Sequence, residues 1–207
     1  MELVCVRHGR TAWNADRRFQ GQTDIPLDAE GHAQAQALGR HLARESFDLA
    51  VASDLSRARM TAEALCAGRT LPIELDASLR EMNFGVWEGM TWNEIITRWP
   101  ELSDRYEASP RQYTPEGGES WEALCARVDE ALRRITARMA PDGRALIVSH
   151  AGVMHAILHT VHGVPSMEGV ELRVRLVPAG IIRLRGSFEA GWDVAALNET
   201  AAPATRA

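Results

Sequence analysis

Five side chains in this sequence could together carry a phosphoryl transfer. His8 and Arg7 follow one short apolar run, His150 follows another, Arg57 lies just past a third, and Glu81 sits in Leu79-Arg80-Glu81. Two guanidinium forks beside a histidine suit a tetrahedral anion, because charge-assisted bidentate bonds favour phosphate. A histidine next to a bound phosphoryl group can attack phosphorus and form a covalent intermediate. The other histidine and the arginines would hold the equatorial oxygens while charge shifts in the transition state. A protonated glutamate can give its proton to the leaving alcohol and later take one from water. Gly9 is expected to let the backbone approach the ligand closely. The chemistry closes with no metal and no cofactor.

The elements that must bring these residues together alternate between strand and helix. Leu3-Val4-Cys5-Val6, Leu49-Ala50-Val51-Ala52, Leu71 to Leu75 and Ala145-Leu146-Ile147-Val148 are apolar runs of the kind found in buried parallel strands. Helical spacing follows from about Asp28 (Ala35, Leu38, Leu42), with Asp28 at its start, and after Asp54 or Ser56 as a cap (Ala58, Ala62, Leu65). The clearest helix starts at Ser120, with Trp121, Leu124, Val128, Leu132, Ile135 and Met139 on one face. Another runs from Val153 to His162. Leu172, Val174 and Leu176 alternate with arginines and predict a strand paired with Ile181–Leu184 across Pro178-Ala179-Gly180.

This order predicts a three-layer α/β/α sandwich with a mostly parallel central sheet. It forms a single domain over 1–197, with a lid-like insertion at about 82–118 and a flexible tail at 198–207. In open parallel sheets ligands bind beyond the carboxyl ends of the strands. Arg7-His8-Gly9, Ser53-Asp54 and Ser149-His150-Ala151-Gly152 all fall there.

Composition narrows the field. The 207 residues are 45% hydrophobic and 25% charged, as in an ordinary globular domain. A chain of this length buries about 70% of its unfolded surface and needs no disulfide or metal to hold its core. All 23 basic residues are arginine, which removes lysine Schiff bases and lysine-dependent phosphate loops. A net charge of −5 argues against nucleic-acid binding. No apolar run approaches a membrane span, and Met1 to Gly9 carries no signal-peptide pattern. Cys5, Cys66 and Cys125 have no paired spacing and read as buried thiols in a reducing, cytoplasmic setting. His155, His159 and His162 share a helix face, but no carboxylate or cysteine lies near in sequence, so a structural role is expected over a metal site.

Arg7-His8-Gly9-Arg10-Thr11, with Trp13-Asn14, Gln20-Gly21 and Asp24-Ile25-Pro26-Leu27, resembles the opening signature of the histidine phosphatase superfamily, phosphoglycerate-mutase-like branch. Ser53-Asp54-Leu55-Ser56-Arg57-Ala58, Leu79-Arg80-Glu81 with Phe84-Gly85 and Trp87-Glu88-Gly89, Gly117-Gly118-Glu119-Ser120, and Val148-Ser149-His150-Ala151-Gly152 continue the series in the family's order. The likeness runs from about Leu3 to at least Gly163. It implies His8 as the nucleophile that becomes phosphorylated, Arg7, Arg57 and His150 as the phosphate pocket, and Glu81 as general acid and base. It also implies substrate contacts from Asn14, Gln20 and Gly21, with a backbone donor near Gly152. The flanking arginines should hold the His8 pKa down.

The same site could hydrolyse a small phosphomonoester or move a phosphoryl group within phosphoglycerate. The resembling mutases carry a basic, lysine-containing middle segment with adjacent arginines. Thr91 to Glu116 offers only isolated Arg98, Arg105 and Arg111, together with Trp92, Trp99, Tyr106 and Tyr113, which suit an apolar or ring-bearing leaving group. Phosphatase is therefore the expectation, with a cofactor-dependent mutase as the alternative. A non-catalytic anion-binding module ranks lower, because nucleophile, arginines and acid are all present. Arg10 is either a substrate contact for a further anionic group or a solvated charge. Arg17, Arg18 and Arg59 could widen a positive field around the pocket, but each alone reads as a solvated charge. Glu88 and Glu119 are alternative acids, although Glu119 better suits the first turn of its helix. The apolar edge near Leu172 to Leu184 could support a homodimer.

Overall fold

Leu3, Val4, Cys5 and Val6 point alternately to the two faces of one sheet, and all four are fully buried. This is why the run is apolar throughout and does not alternate with polar residues: helices cover both faces. The structure, a computed structural model, describes residues 1–102, 113–162 and 175–201. Its strands are β1 (Glu2–Arg7), β2 (Leu49–Ala52), β3 (Ile73–Leu75), β4 (Arg144–Ser149), β5 (Ile181–Ser187) and β6 (Gly191–Glu199), in the sheet order β3-β2-β4-β1-β5-β6. The pairs β2–β3, β2–β4 and β1–β4 are parallel, while β5 runs antiparallel to both β1 and β6.

The helices are α1 (Ala12–Ala15), α2 (Ala29–His41), α3 (Ser56–Cys66), α4 (Trp92–Arg98), α5 (Trp121–Thr136) and α6 (Ala151–His162). Leu38 and Leu42 with Ala58, Ala62 and Leu65 pack on Val4, Val6, Leu146 and Val148. On the other face Leu124, Val128 and Leu132 of α5 and Ala156 and Ile157 of α6 pack on Leu3, Cys5, Ala145 and Ile147. Each leucine so buried contributes about 1.5–3 kcal/mol. Asp28 caps α2 by accepting from the Gly31 N–H, and Ser120 caps α5 by accepting from that of Ala123. Cys5 and Cys66 are buried and Cys125 is half-buried; burial pushes the Cys5 thiol up to about 12. Among the described residues no helix is long and apolar enough to cross a membrane.

Several expectations are corrected. Neither Asp54 nor Ser56 caps α3. The N-cap is Leu55, which makes no side-chain cap bond. The donor is satisfied from another loop, where Asp24 Oδ1 accepts the Ser56 N–H at 2.7 Å. Asp54 is engaged elsewhere, bridging to Arg80 through two bonds of 2.7 and 2.5 Å. The strand expected over Leu71 to Leu75 covers only Ile73–Leu75.

The C-terminal pairing differs as well. Leu172 and Val174 lie outside the described residues, and Leu176 is buried but not in a strand. The hairpin partner of β5 is β6, which ends at Glu199 and so runs into the segment expected to be tail. Glu199 is held there by Arg183 and His41. Ile181–Leu184 therefore lies between β1 and β6, so this part of the expected apolar edge is an interior strand.

Candidate active site

The ladder continues one residue past the strands. The His8 N–H donates to the Ser149 carbonyl and the Ser53 N–H to the Val148 carbonyl, both at 2.9 Å. Those bonds align the residues after β1, β2 and β4 at a single rim, where the ends of the parallel strands meet a cavity of about 410 Å³. His8, Arg7, Arg57, Glu81 and Gly152 line its polar part. Phe19, Met82, Phe84, Tyr113, Pro115 and Trp121 line its apolar part.

His8 is only 2% exposed, and its Nδ1 lies 2.7 Å from the carbonyl of Gly9. A carbonyl only accepts, so Nδ1 carries the ring proton and the Nε2 lone pair is left bare. Burial first, then the charges of Arg57 and Arg7, hold the His8 pKa well below its ordinary value, so the ring is neutral. The Gly9–Gly31 contact corrects the role expected for Gly9. A Cβ on Gly9 would stand 2.5 Å from the Gly31 carbonyl oxygen, so the glycine serves backbone packing against α2.

Arg57 is fully buried and donates to the carbonyls of Gly21 at 2.7 Å and Thr23 at 2.9 Å, and from Nε to His150 Nδ1 at 3.2 Å. Gly21 thus enters the site partly through its carbonyl oxygen. Arg7 is anchored by a bond from Nη1 to the Leu176 carbonyl. Burial lowers the pKa of both arginines and Glu81 opposes it. Arg175, which sequence reasoning did not single out, adds positive charge near Arg7. His150 is wholly buried, lies behind the cavity wall, and sits 5.1 Å from His8 ring to ring.

Glu81 is 8% exposed and its Oε1 accepts from the N–H groups of Met82 at 2.9 Å and Gly152 at 3.0 Å. The glycine in His150-Ala151-Gly152 has a geometric reason: a Cβ there would come within 2.3 Å of Glu81 Oε1. Asn14 and Gln20 are knitted together by Thr11. Asn14 Oδ1 accepts from the Thr11 N–H at 3.1 Å and Gln20 Oε1 from the Thr11 hydroxyl at 2.9 Å. Both side chains line the cavity with their amide N–H groups uncommitted among the described residues.

Arg10 does not join the site. It pairs with Asp28 at 2.7 Å and with Glu30, both at the start of α2, and is not on the cavity wall. Glu88 is not an acid candidate either: its two oxygens accept from Gln22, Thr23 and Phe84 and brace the loop that carries Gly21. Glu119 bonds Arg127 at 2.6 and 2.8 Å and does not serve its helix's first turn. Arg127 in turn donates to the carbonyls of Ser78 and Glu81. Of the mid-chain aromatics, Tyr113 lines the cavity and stacks on Trp87 at 5.3 Å, whereas Trp92 packs behind it on Trp87. Tyr106 lies outside the described residues. His155 lines the cavity, and His159 packs edge-on against Trp121.

A model of the histidine phosphatase superfamily (branch 1) matches residues 3–200. The chain belongs to this superfamily. It is 35% identical over 180 residues to the probable phosphoglycerate mutase GpmB of Shigella boydii, spanning 84% of this chain and 81% of that one. Among solved structures it is similar to a mycobacterial glucosyl-3-phosphoglycerate phosphatase in complex with VO3, with TM-score 0.86, 28% identity, and coverage of 96% and 99% of the two chains. The α-ribazole phosphatase from Shigella flexneri aligns at TM-score 0.85 and 29% identity, over 96% of each chain.

In this member of the histidine phosphatase superfamily, sequence reasoning missed the partner of His150. Ser53 Oγ lies 2.9 Å from His150 Nε2, and its position at the end of β2 was the available signal. It also missed Phe19, Met82 and Phe84 as cavity walls, and read Trp121 as core alone. These side chains carry no sequence mark that separates a cavity wall from an interior.

Proposed function

We propose that this protein is a phosphomonoester hydrolase working through a phosphohistidine at His8, on a small phosphorylated metabolite. The observation that carries the reading is the Nδ1–Gly9 hydrogen bond, which leaves a neutral imidazole with its Nε2 lone pair for the cavity, beside the buried Arg57 and the half-buried Arg7. Nε2 attacks phosphorus, and the bond from phosphorus to the leaving oxygen breaks as that oxygen takes a proton from Glu81. Arg7 and Arg57 carry the charge that builds on the equatorial oxygens, the task a metal performs elsewhere. Water then attacks the phosphohistidine, Glu81 takes its proton, inorganic phosphate leaves and Nε2 is restored.

The solved neighbours support hydrolysis, since those named above are phosphatases, one of them in complex with VO3. The mutase reading rests on the GpmB relatives. Against it, much of the cavity wall beyond the catalytic groups is aromatic or apolar, and Arg98 is occupied over the ring of Trp99 at 4.9 Å. A cytoplasmic enzyme that uses no added metal fits the whole set.

The test is phosphate release from a panel of phosphomonoesters with chelator present, alongside alkaline-quench trapping of labelled phosphate on the protein. Release with label on wild type and none on His8→Ala is expected. Interconversion of 3- and 2-phosphoglycerate that depends on a bisphosphoglycerate primer would make it a mutase. Binding of phosphate with neither activity would make it an anion-binding module.

A further inference from the structure

Arg17 occupies an unusual position. It is exposed, lines the same cavity as His8, and has a left-handed backbone with φ of +55°. An arginine in that conformation costs about 1 kcal/mol, and glycine or asparagine would be the cheaper choice. The backbone is held there from both sides. The Arg17 N–H donates to the Asn14 carbonyl, and the Arg18 N–H to that of Trp13. Arg18 and Phe19 are then pinned to the segment before and at the start of α4: Arg18 Nη1 donates to the Gly89 carbonyl and pairs with Glu94, and the Phe19 N–H donates to the Met90 carbonyl.

The two adjacent arginines therefore differ. Arg18 is half-buried, and its charge is met by Glu94 at 2.9 Å. Arg17 has no side-chain partner among the described residues. The cavity that this exposed, unmatched cation shares with the buried Arg57 is also walled by the aromatic rings of Phe19, Phe84, Tyr113 and Trp121. Among the described residues the only acidic side chain on the wall is Glu81.

We propose that Arg17 is a specificity-determining residue that binds a second anionic group on the leaving portion of the substrate. The substrate class is then a phosphomonoester with an apolar or ring-shaped body and a carboxylate or second phosphate at its far end. The reading rests on the hydrolase function above. Arg10, the arginine that sequence suggested for such a role, is neutralised by Asp28 and Glu30, which leaves Arg17 as the cation that faces the same cavity.

The experiment compares 4-carboxyphenyl phosphate with phenyl phosphate in wild type, Arg17→Gln and Arg17→Glu. The readout is the ratio of kcat/KM for the two esters within each protein, so intrinsic reactivity cancels between proteins. An exposed ion pair changes that ratio by about fivefold at low salt, so the expected order is wild type above Arg17→Gln above Arg17→Glu. The spread should narrow as salt rises. Identical ratios in all three proteins, with both esters hydrolysed, would overturn the subsite alone. Hydrolysis of neither ester by wild type would overturn the hydrolase reading and the subsite with it. Thermal unfolding of each variant separates loss of fold from loss of preference.

Discussion

Arg57 donates its Nε hydrogen to Nδ1 of His150 across 3.2 Å, and because arginine has no acceptor, Nδ1 must be the bare nitrogen of that ring. The ring proton then sits on Nε2 and points to Ser53 Oγ at 2.9 Å. His8 holds the opposite tautomer, with its proton on Nδ1 toward Gly9. Two rings 5.1 Å apart are thus both neutral and both oriented, with only the Nε2 of His8 left bare toward the cavity.

That arrangement sets the pH dependence. Burial, then Arg57, lowers both histidine pKa values well below the ordinary 6.5, and a nucleophilic imidazole must be deprotonated. The acid limb of kcat/KM should lie clearly below pH 6.5. Nitrogen NMR of the labelled rings should show neutral Nδ1–H at His8 and Nε2–H at His150 at neutral pH. A protonated imidazolium at His8 there, or an acid limb at or above 6.5, would contradict this account of the nucleophile.

Glu81 and Gly152 form a second pair with a readable consequence. Glu81→Gln should cost alkyl phosphates about 100-fold or more and aryl phosphates far less, because good leaving groups need little protonation. Gly152→Ala places a methyl 2.3 Å from Glu81 Oε1, so the carboxylate must swing away. It should reproduce the same leaving-group dependence in milder form, about tenfold, with little change in Tm. Equal losses across leaving groups in both variants would remove Glu81 from the acid role.

Gly31 tests the packing under the nucleophile loop. A Cβ at Gly31 would lie 2.0 Å from the Arg10 carbonyl oxygen, and backbone cannot step aside as a side-chain tip can. Gly31→Ala should destabilise by about 3 kcal/mol or more in denaturant unfolding. Gly68→Ala is the comparison: its φ is +77° but nothing lies within 4 Å, so only the backbone strain of about 1 kcal/mol applies. Equal costs for the two would show that the close approach is relaxed in solution.

Far from the cavity, the end of β6 has its own pH signature. The hydrogen bond from Arg183 lowers the Glu199 carboxyl from 4.5 to about 2. A depressed acid stabilises the fold above its unfolded pKa, and that contribution is lost as pH falls through the folded value. The window is therefore between about 4.5 and 2. Glu199→Gln should lower stability at neutral pH by about 1–2 kcal/mol and flatten the acid loss in that window. An unchanged profile would mean that the terminal strand is not anchored through this pair.

Much of the fold was legible because its signals are local. Four-residue apolar runs mark strands buried on both faces, and the helix α5 shows its inner side through Leu124, Val128 and Leu132 alone. What failed was long-range. The capping of α3 by Asp24, 32 residues away, has no mark in the sequence around Ser56. Nor does Ala195-Ala196 inside β6 announce a strand, because an edge strand is stabilised by its partner β5 and by the Arg183–Glu199 pair.

The candidate site divides along the same line. The residue types, their order and their positions at strand ends were determined by sequence, which is enough to bring Arg7, His8, Arg57, Glu81 and Gly152 to one cavity. Tertiary structure alone decided which nitrogen of each histidine is bare, that Arg10 is neutralised while Arg17 is not, and which aromatic rings wall the cavity. Those outcomes depend on which acceptor lies within 3 Å of a given donor. Distances between residues far apart in the chain arise only when the sheet closes.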